Sequence, residues 1–185
     1  MNERVKEVIK THEQHGLVMV ITGNGKGKTT SALGQALRAI GHGFTVHMIQ
    51  FMKGRKYGEA VAAETHLPGF TIETFGLDSF VIRDNPAPVD IELAQKGLER
   101  AYEVVGANQH NMVILDELNV ALDFNLVDRD KVLELIRTKP PEMDLVITGR
   151  YAHQDVIELA DMVSEVTEIK HHYAAGIKER AGIEF

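Results

Sequence analysis

The chain has 185 residues, 44% of them hydrophobic and 25% charged, with 16 Gly and 5 Pro, a composition that supports one buried core and excludes the disordered and low-complexity classes. Its net charge of -7 argues against a broad nucleic-acid face, which needs many Lys and Arg contacts, so an anion must bind locally. The absence of Cys excludes disulfides, thiolate zinc sites, iron–sulfur clusters and a cysteine nucleophile, which leaves oxygen and imidazole for any metal.

Residues 1–16 carry Glu3, Arg4, Lys6, Glu7, Lys10 and Glu13, too many charges for a secretory signal. They read as a helical arm, with Val5, Val8 and Ile9 as a short apolar stripe, ahead of a single domain over 17–185. No apolar run approaches the roughly 20 residues that span a bilayer, and the expectation is a cytoplasmic protein with neither membrane nor nucleic-acid partners. Apolar, β-rich runs at 17–21, 45–51, 71–75, 112–115, 145–148 and 163–169 predict strands. Between them, helices are expected to begin near Thr29, Val89, Asp128 and His153. The second of these has Ile91, Leu93, Leu98, Tyr102 and Val105 as its apolar set. Pro86 and Pro88 precede it, while Pro140 and Pro141 stop the third. This alternation predicts an α/β fold, a mostly parallel sheet covered by helices on both faces. The irregular stretches 53–68 and 76–88 read as ligand loops.

Residues 23–30, GNGKGKTT, follow the first strand and open the first helix, the context a phosphate-binding loop requires. Gly23, Asn24, Gly25, Lys26 and Gly27 let successive N–H groups face one anion, at the positive end of the helix dipole. Lys28 adds a full charge, Thr29 a hydroxyl suited to a magnesium ion on the phosphates, and Thr30 completes the turn. The usual pattern has Gly where this chain has Thr22, and Lys26 adds a second lysine within the turn. The strand at 112–115 ends in Asp116-Glu117 and resembles a Walker B element, in which either carboxylate holds magnesium directly or through water. Arg150, after the strand at 145–148, reaches the same sheet edge and suits a bidentate phosphate contact. The nine histidines do not have metal-site spacing, and on a strand the adjacent His171 and His172 would face opposite sides.

These residues establish binding of a nucleoside triphosphate with magnesium and leave the reaction open. GNGKGKTT, taken with Gln50-Phe51-Met52-Lys53-Gly54, Asp116-Glu117-Leu118, Thr148-Gly149-Arg150, Val163-Ser164-Glu165-Val166, Ile169-Lys170-His171 and Gly182-Ile183-Glu184, resembles the P-loop ATP:corrinoid adenosyltransferases over nearly the whole chain. The resemblance implies a RecA-like P-loop fold and an SN2 reaction, in which Co(I) of a reduced corrinoid attacks the 5′ carbon of ATP and tripolyphosphate departs. It further implies phosphates lying reversed in the loop, Lys28 and Arg150 steadying the leaving group, and Arg38 reaching the nucleotide. Also implied are a reduced flavin or flavoprotein as reductant, a homodimer, and an N-terminal arm that covers the site. Apolar residues displace the axial base of cobalt in this family. Where it carries Gly-Phe-Thr-Trp, this chain has Gly76-Leu77-Asp78-Ser79-Phe80 and no Trp, which makes Phe80, with Leu77, the candidate wedge. A P-loop ATPase or small-molecule kinase, and a nucleotide-dependent binding module without chemistry, are the competing readings of the loop alone.

Overall fold

The computed structural model describes residues 15–184, so nearly all of the expected N-terminal arm lies outside the described residues. The order of elements is β1 (Val18–Thr22), α1 (Lys28–Gly41), β2 (Val46–Phe51), α2 (Gly58–His66), β3 (Phe70–Phe75), α3 (Pro88–Ala107), β4 (Met112–Asp116), α4 (Leu118–Asp123), α5 (Arg129–Thr138), β5 (Asp144–Thr148), α6 (Gln154–Leu159) and β6 (Met162–Glu165). A 3₁₀ turn, His172–Ala175, follows. The six strands form one sheet in the order β3-β2-β4-β5-β1-β6, with every pair parallel.

The central strands are apolar at nearly every position because both faces of the sheet are covered. On one face Met19, Ile21, Met48, Ile114 and Val146 meet Ala32, Ala36 and Ala39 of α1. Small residues along that helix stripe let α1 lie close to the sheet. On the other face Val18, Val20, Ile49, Val113, Leu115, Leu145 and Ile147 pack against α3, α4, α5 and α6. Pro88 starts α3, and the Asp90 carboxylate accepts a hydrogen bond from Ala87 N at 3.1 Å, satisfying a free donor at the helix end. The neighbours β1 and β5 are thus followed by helices on opposite faces, and their C-terminal ends open a crevice where α/β sheets hold ligands.

Two short helices depart from the sequence reading. α2 falls within the stretch read as a loop at 53–68. Its buried residues are only Ala60 and Ala63, too weak an apolar stripe to stand out. α4 begins directly after the β4 carboxylates. The last strand ends at Glu165 rather than near 169, and all four of its residues are exposed at the sheet edge. No described helix is long and apolar enough to cross a membrane.

Under α3, away from the crevice, His47 is buried among titratable neighbours. Its Nδ1 lies 2.7 Å from Thr71 Oγ1, its Nε2 3.2 Å from Glu73, and its ring centroid 5.1 Å from that of His110. Burial pushes its pKa down to about 4 from 6.5, against the opposing pull of Glu73. The folded protein therefore resists a proton that the unfolded chain accepts, and stability present above pH 6.5 is lost as pH falls toward 4. Between pH 7.5 and 5 the loss is about 2 kcal/mol. Urea unfolding at both values should show the drop in the native chain and a smaller one in His47→Gln, and equal slopes would refute the assignment.

Candidate active site

The phosphate loop is shaped from both sides. Gly23 adopts φ +97°, and a Cβ there would come within 2.8 Å of Val166 N. One on Gly25 would come within 2.8 Å of Val166 O and the Thr167 carbonyl carbon. The loop thus lies against the segment after β6. Val166 N donates to Thr22 O at 2.8 Å, Gly25 N donates to Val166 O at 2.7 Å, and Glu168 N donates to Asn24 Oδ1 at 3.0 Å. Glycine is required here by close backbone approach as well as by φ. Lys28 is buried and donates to Gly25 O at 2.8 Å, and burial pushes its pKa down.

Asp116, fully buried at the end of β4, draws the other elements together. Its Oδ1 accepts from Thr29 Oγ1 at 2.8 Å and Thr148 Oγ1 at 2.6 Å. Its Oδ2 accepts from Lys53 Nζ at 2.7 Å and Gln50 Nε2 at 3.2 Å. The Thr148 hydroxyl also accepts from Glu117 N at 3.0 Å, fixing the next residue. Glu117 has φ 62°, a left-handed conformation unfavourable for a side chain of this size and typical of functional turns. Met52 and Tyr151, with φ 59° and 60°, follow β2 and β5 at the same sheet edge. The Glu117 carboxylate lines the cavity. Burial first, then the adjacent Asp116, pushes its pKa up.

These groups wall a cavity of about 710 Å³, lined by residues 25–30 of the loop together with Lys53, Tyr57, Glu59, Glu117 and Arg150, large enough for a nucleotide. The chain after β6 closes it with Glu179, Gly182, Ile183 and Glu184. Lys26 turns toward this tail, donating to Ile183 O at 2.9 Å and lying 3.7 Å from Glu184. A hydrogen bond from Arg180 holds the Glu184 carboxyl down at about 2. Lys53, Tyr57 and Glu59 were not singled out from the sequence. The signal for Lys53 was its place in Gln50-Phe51-Met52-Lys53-Gly54, just past the end of a fully buried strand.

Two expected site residues are not brought to the cavity. Arg38 is exposed in the last turn of α1, roughly 15 Å along the axis from Lys28. Phe80 is fully exposed, and Leu77 partly so, on the 76–87 loop. That loop borders the cavity wall all the same, because a Cβ on Gly54 would come within 2.6 Å of Asp78 N. Arg83 ties it to α4 through Asp123 at 2.8 Å and lies over the Tyr151 ring at 5.4 Å. Among the described residues no cluster of three or more His, Asp or Glu suits a metal. The oxygen set Thr29, Asp116 and Glu117 does suit magnesium, which takes few protein ligands when phosphates supply the rest.

The sequence profile of the ATP:corrinoid adenosyltransferase family BtuR/CobO/CobP matches residues 14–185. The corrinoid adenosyltransferase of Escherichia coli K12 is 35% identical, over 99% of this chain and 95% of its own length. Corrinoid adenosyltransferase CobA of Salmonella typhimurium is 34% identical over 96% and 90%. A KaiC-like protein of Pyrococcus horikoshii superposes with a TM-score of 0.53 at 14% identity, covering 84% of this chain and 75% of that one, a likeness of fold alone.

Gly25→Ala should weaken ATP binding by tenfold or more, about 1.4 kcal/mol, because the methyl group meets backbone on the far side. Isothermal titration would check it, and unchanged affinity would mean that the loop takes another shape with ATP bound.

Proposed function

The chain belongs to the ATP:corrinoid adenosyltransferase family, and from that premise we propose that it transfers the 5′-deoxyadenosyl group of ATP to Co(I) of a reduced corrinoid, releasing tripolyphosphate. The observation that carries the reading is the cavity itself. Residues 25–29 of the loop, Lys28 among them, line one space with Lys53 and Arg150, which suits a leaving group with several negative charges. The attacking cobalt bears its own electron pair and needs no base, consistent with a site whose carboxylates are engaged with lysines and hydroxyls or lie ready for a cation. The protein's work is to hold the 5′ carbon in line with the cobalt and to keep water out.

In this reading Lys28 leaves Gly25 O for the phosphates, and Arg150 meets them from the end of β5. Thr29 and Glu117 would hold magnesium, with Asp116 behind them, and when bound the ion supplies charge neutralisation to the departing polyphosphate. Glu117 is preferred as ligand because its side chain has no hydrogen bond among the described residues, whereas Asp116 already accepts four. The exposed Leu77, Phe80 and Ile82, on the 76–87 loop outside the cavity lining, offer the apolar surface that a corrin face requires, and Phe80 would take the place of the wedge once the corrin is bound. A reduced flavin as electron donor, a homodimer and a cytoplasmic setting complete the proposal and rest on family character.

Incubated anaerobically with chemically reduced cobalamin and Mg-ATP, the protein should form a light-sensitive cobalt–carbon bond and tripolyphosphate. Release of ADP or orthophosphate without that bond would favour the kinase or ATPase reading. Lys28→Ala should slow transfer roughly 100-fold or more, and near-normal turnover at saturating ATP would remove this loop from the mechanism. Glu117→Gln should raise the magnesium needed for half-maximal rate by about tenfold or more. An unaltered magnesium titration would return the ligand role to Asp116.

A further inference from the structure

Lys53 reaches Asp116 from the far side of the cavity and makes its closest cationic contact. Its Nζ stands 2.7 Å from Asp116 Oδ2, 3.8 Å from Glu59 and 5.1 Å from the centroid of the Tyr57 ring. Its side chain is 15% exposed, on the cavity side. A buried carboxylate needs a compensating charge, and Lys53 supplies it to Asp116. The same carboxylate accepts from Thr29, whose hydroxyl in a P-loop faces the phosphate-bound cation. The Lys53 ammonium and the hydroxyl that would face such a cation therefore meet on one carboxylate.

We propose that Lys53 is a tethered stand-in for the divalent cation, neutralising Asp116 while the nucleotide site is empty and moving onto the polyphosphate when the metal arrives. A divalent cation held by Thr29 and Glu117 in front of this carboxylate would repel the ammonium behind it, and the flexible partner would yield. The geometry permits the movement to be confined to the side chain. Met52 N is held by Phe75 O at 2.8 Å, and Gly54 and Gly76 are interlocked with the facing loop backbones, so the Lys53 main chain stays in place. The four-carbon stem then swings through the cavity, where Lys28 and Arg150 already stand. One charge thus serves twice, holding the empty site together and then the leaving group. The polyphosphate half of this inference rests on the adenosyl-transfer reading, whereas the metal half does not.

The test uses Mn²⁺ and inorganic tripolyphosphate as probes, without corrinoid. Lys53→Met should bind Mn²⁺ alone at least tenfold more tightly than the native chain, by electron paramagnetic resonance, because Asp116 has lost its resident cation. It should bind tripolyphosphate in the presence of magnesium at least tenfold more weakly, by calorimetry. Lys53→Gln, which can still donate a hydrogen bond to Asp116 without carrying charge, should behave like Lys53→Met and serves if that variant does not fold. Unchanged Mn²⁺ affinity in a folded variant would overturn the stand-in role. Tighter Mn²⁺ with unchanged tripolyphosphate binding would overturn the transfer of Lys53 to the phosphates. Failure of adenosyl transfer itself would appear in the cobalt spectrum and would leave the Mn²⁺ result standing.

Discussion

A single buried carboxylate organises the catalytic edge of this molecule. Asp116 accepts hydrogen bonds from the start of α1, from Gln50 at the end of β2 and Lys53 just past it, and from the end of β5, so four donors from three segments distant in sequence meet on two oxygen atoms. The sheet register makes this possible by pairing Gln50 with Asp116 across β2 and β4. Removing one partner from such a buried charged network typically costs about 3–5 kcal/mol, because the groups left behind are desolvated and unpaired. The phosphate loop, the strained Glu117 turn and the placement of Lys53 all presuppose that this carboxylate is in place.

Charge is distributed accordingly. An acidic protein concentrates Lys26, Lys28, Lys53 and Arg150 around one cavity and interleaves them with Glu59, Glu117, Glu179 and Glu184. Neighbouring Asp116 and Glu117 are treated differently: the first is surrounded by donors, while the second faces the cavity with its proton affinity raised by burial. On the reading proposed above, such a site would attract a metal–polyphosphate complex more than a bare polyanion, since the bare anion would meet the carboxylates without the cation that reconciles them.

Much of this was legible in the sequence because the decisive features are local. The apolar runs announced six strands, the loop glycines announced the tight turn between β1 and α1, and Asp116-Glu117 marked the end of β4 beside it, since each pattern depends on neighbours within a few residues. The family resemblance also stood on short motifs in the right order, and the profile match bears it out over residues 14–185. What stayed hidden depends on register and long-range packing. The motif around Lys53 marks the residue, but its pairing with Asp116 emerges only when β2 is laid beside β4, and α2, with only Ala60 and Ala63 to bury, carries no periodic signal. Arg38 follows the loop closely in sequence, but α1 carries it toward the opposite end of the helix.

The closeness of Gly23 and Gly25 to Val166 and Thr167 has a temporal side. A loop encoded near the beginning of the described chain has its rear wall in residues near the end, and hydrogen bonds at Thr22, Asn24 and Gly25 wait for that wall. During synthesis β1 and α1 emerge long before β6 and can collapse onto early strands, but the loop between them has nothing behind it. The backbone partners of Thr22 and Gly25 are therefore in place only after β6 has joined the sheet beside β1. A nascent or truncated chain that stops short of Val166 would carry an intact GNGKGKTT segment without the rear wall that shapes it.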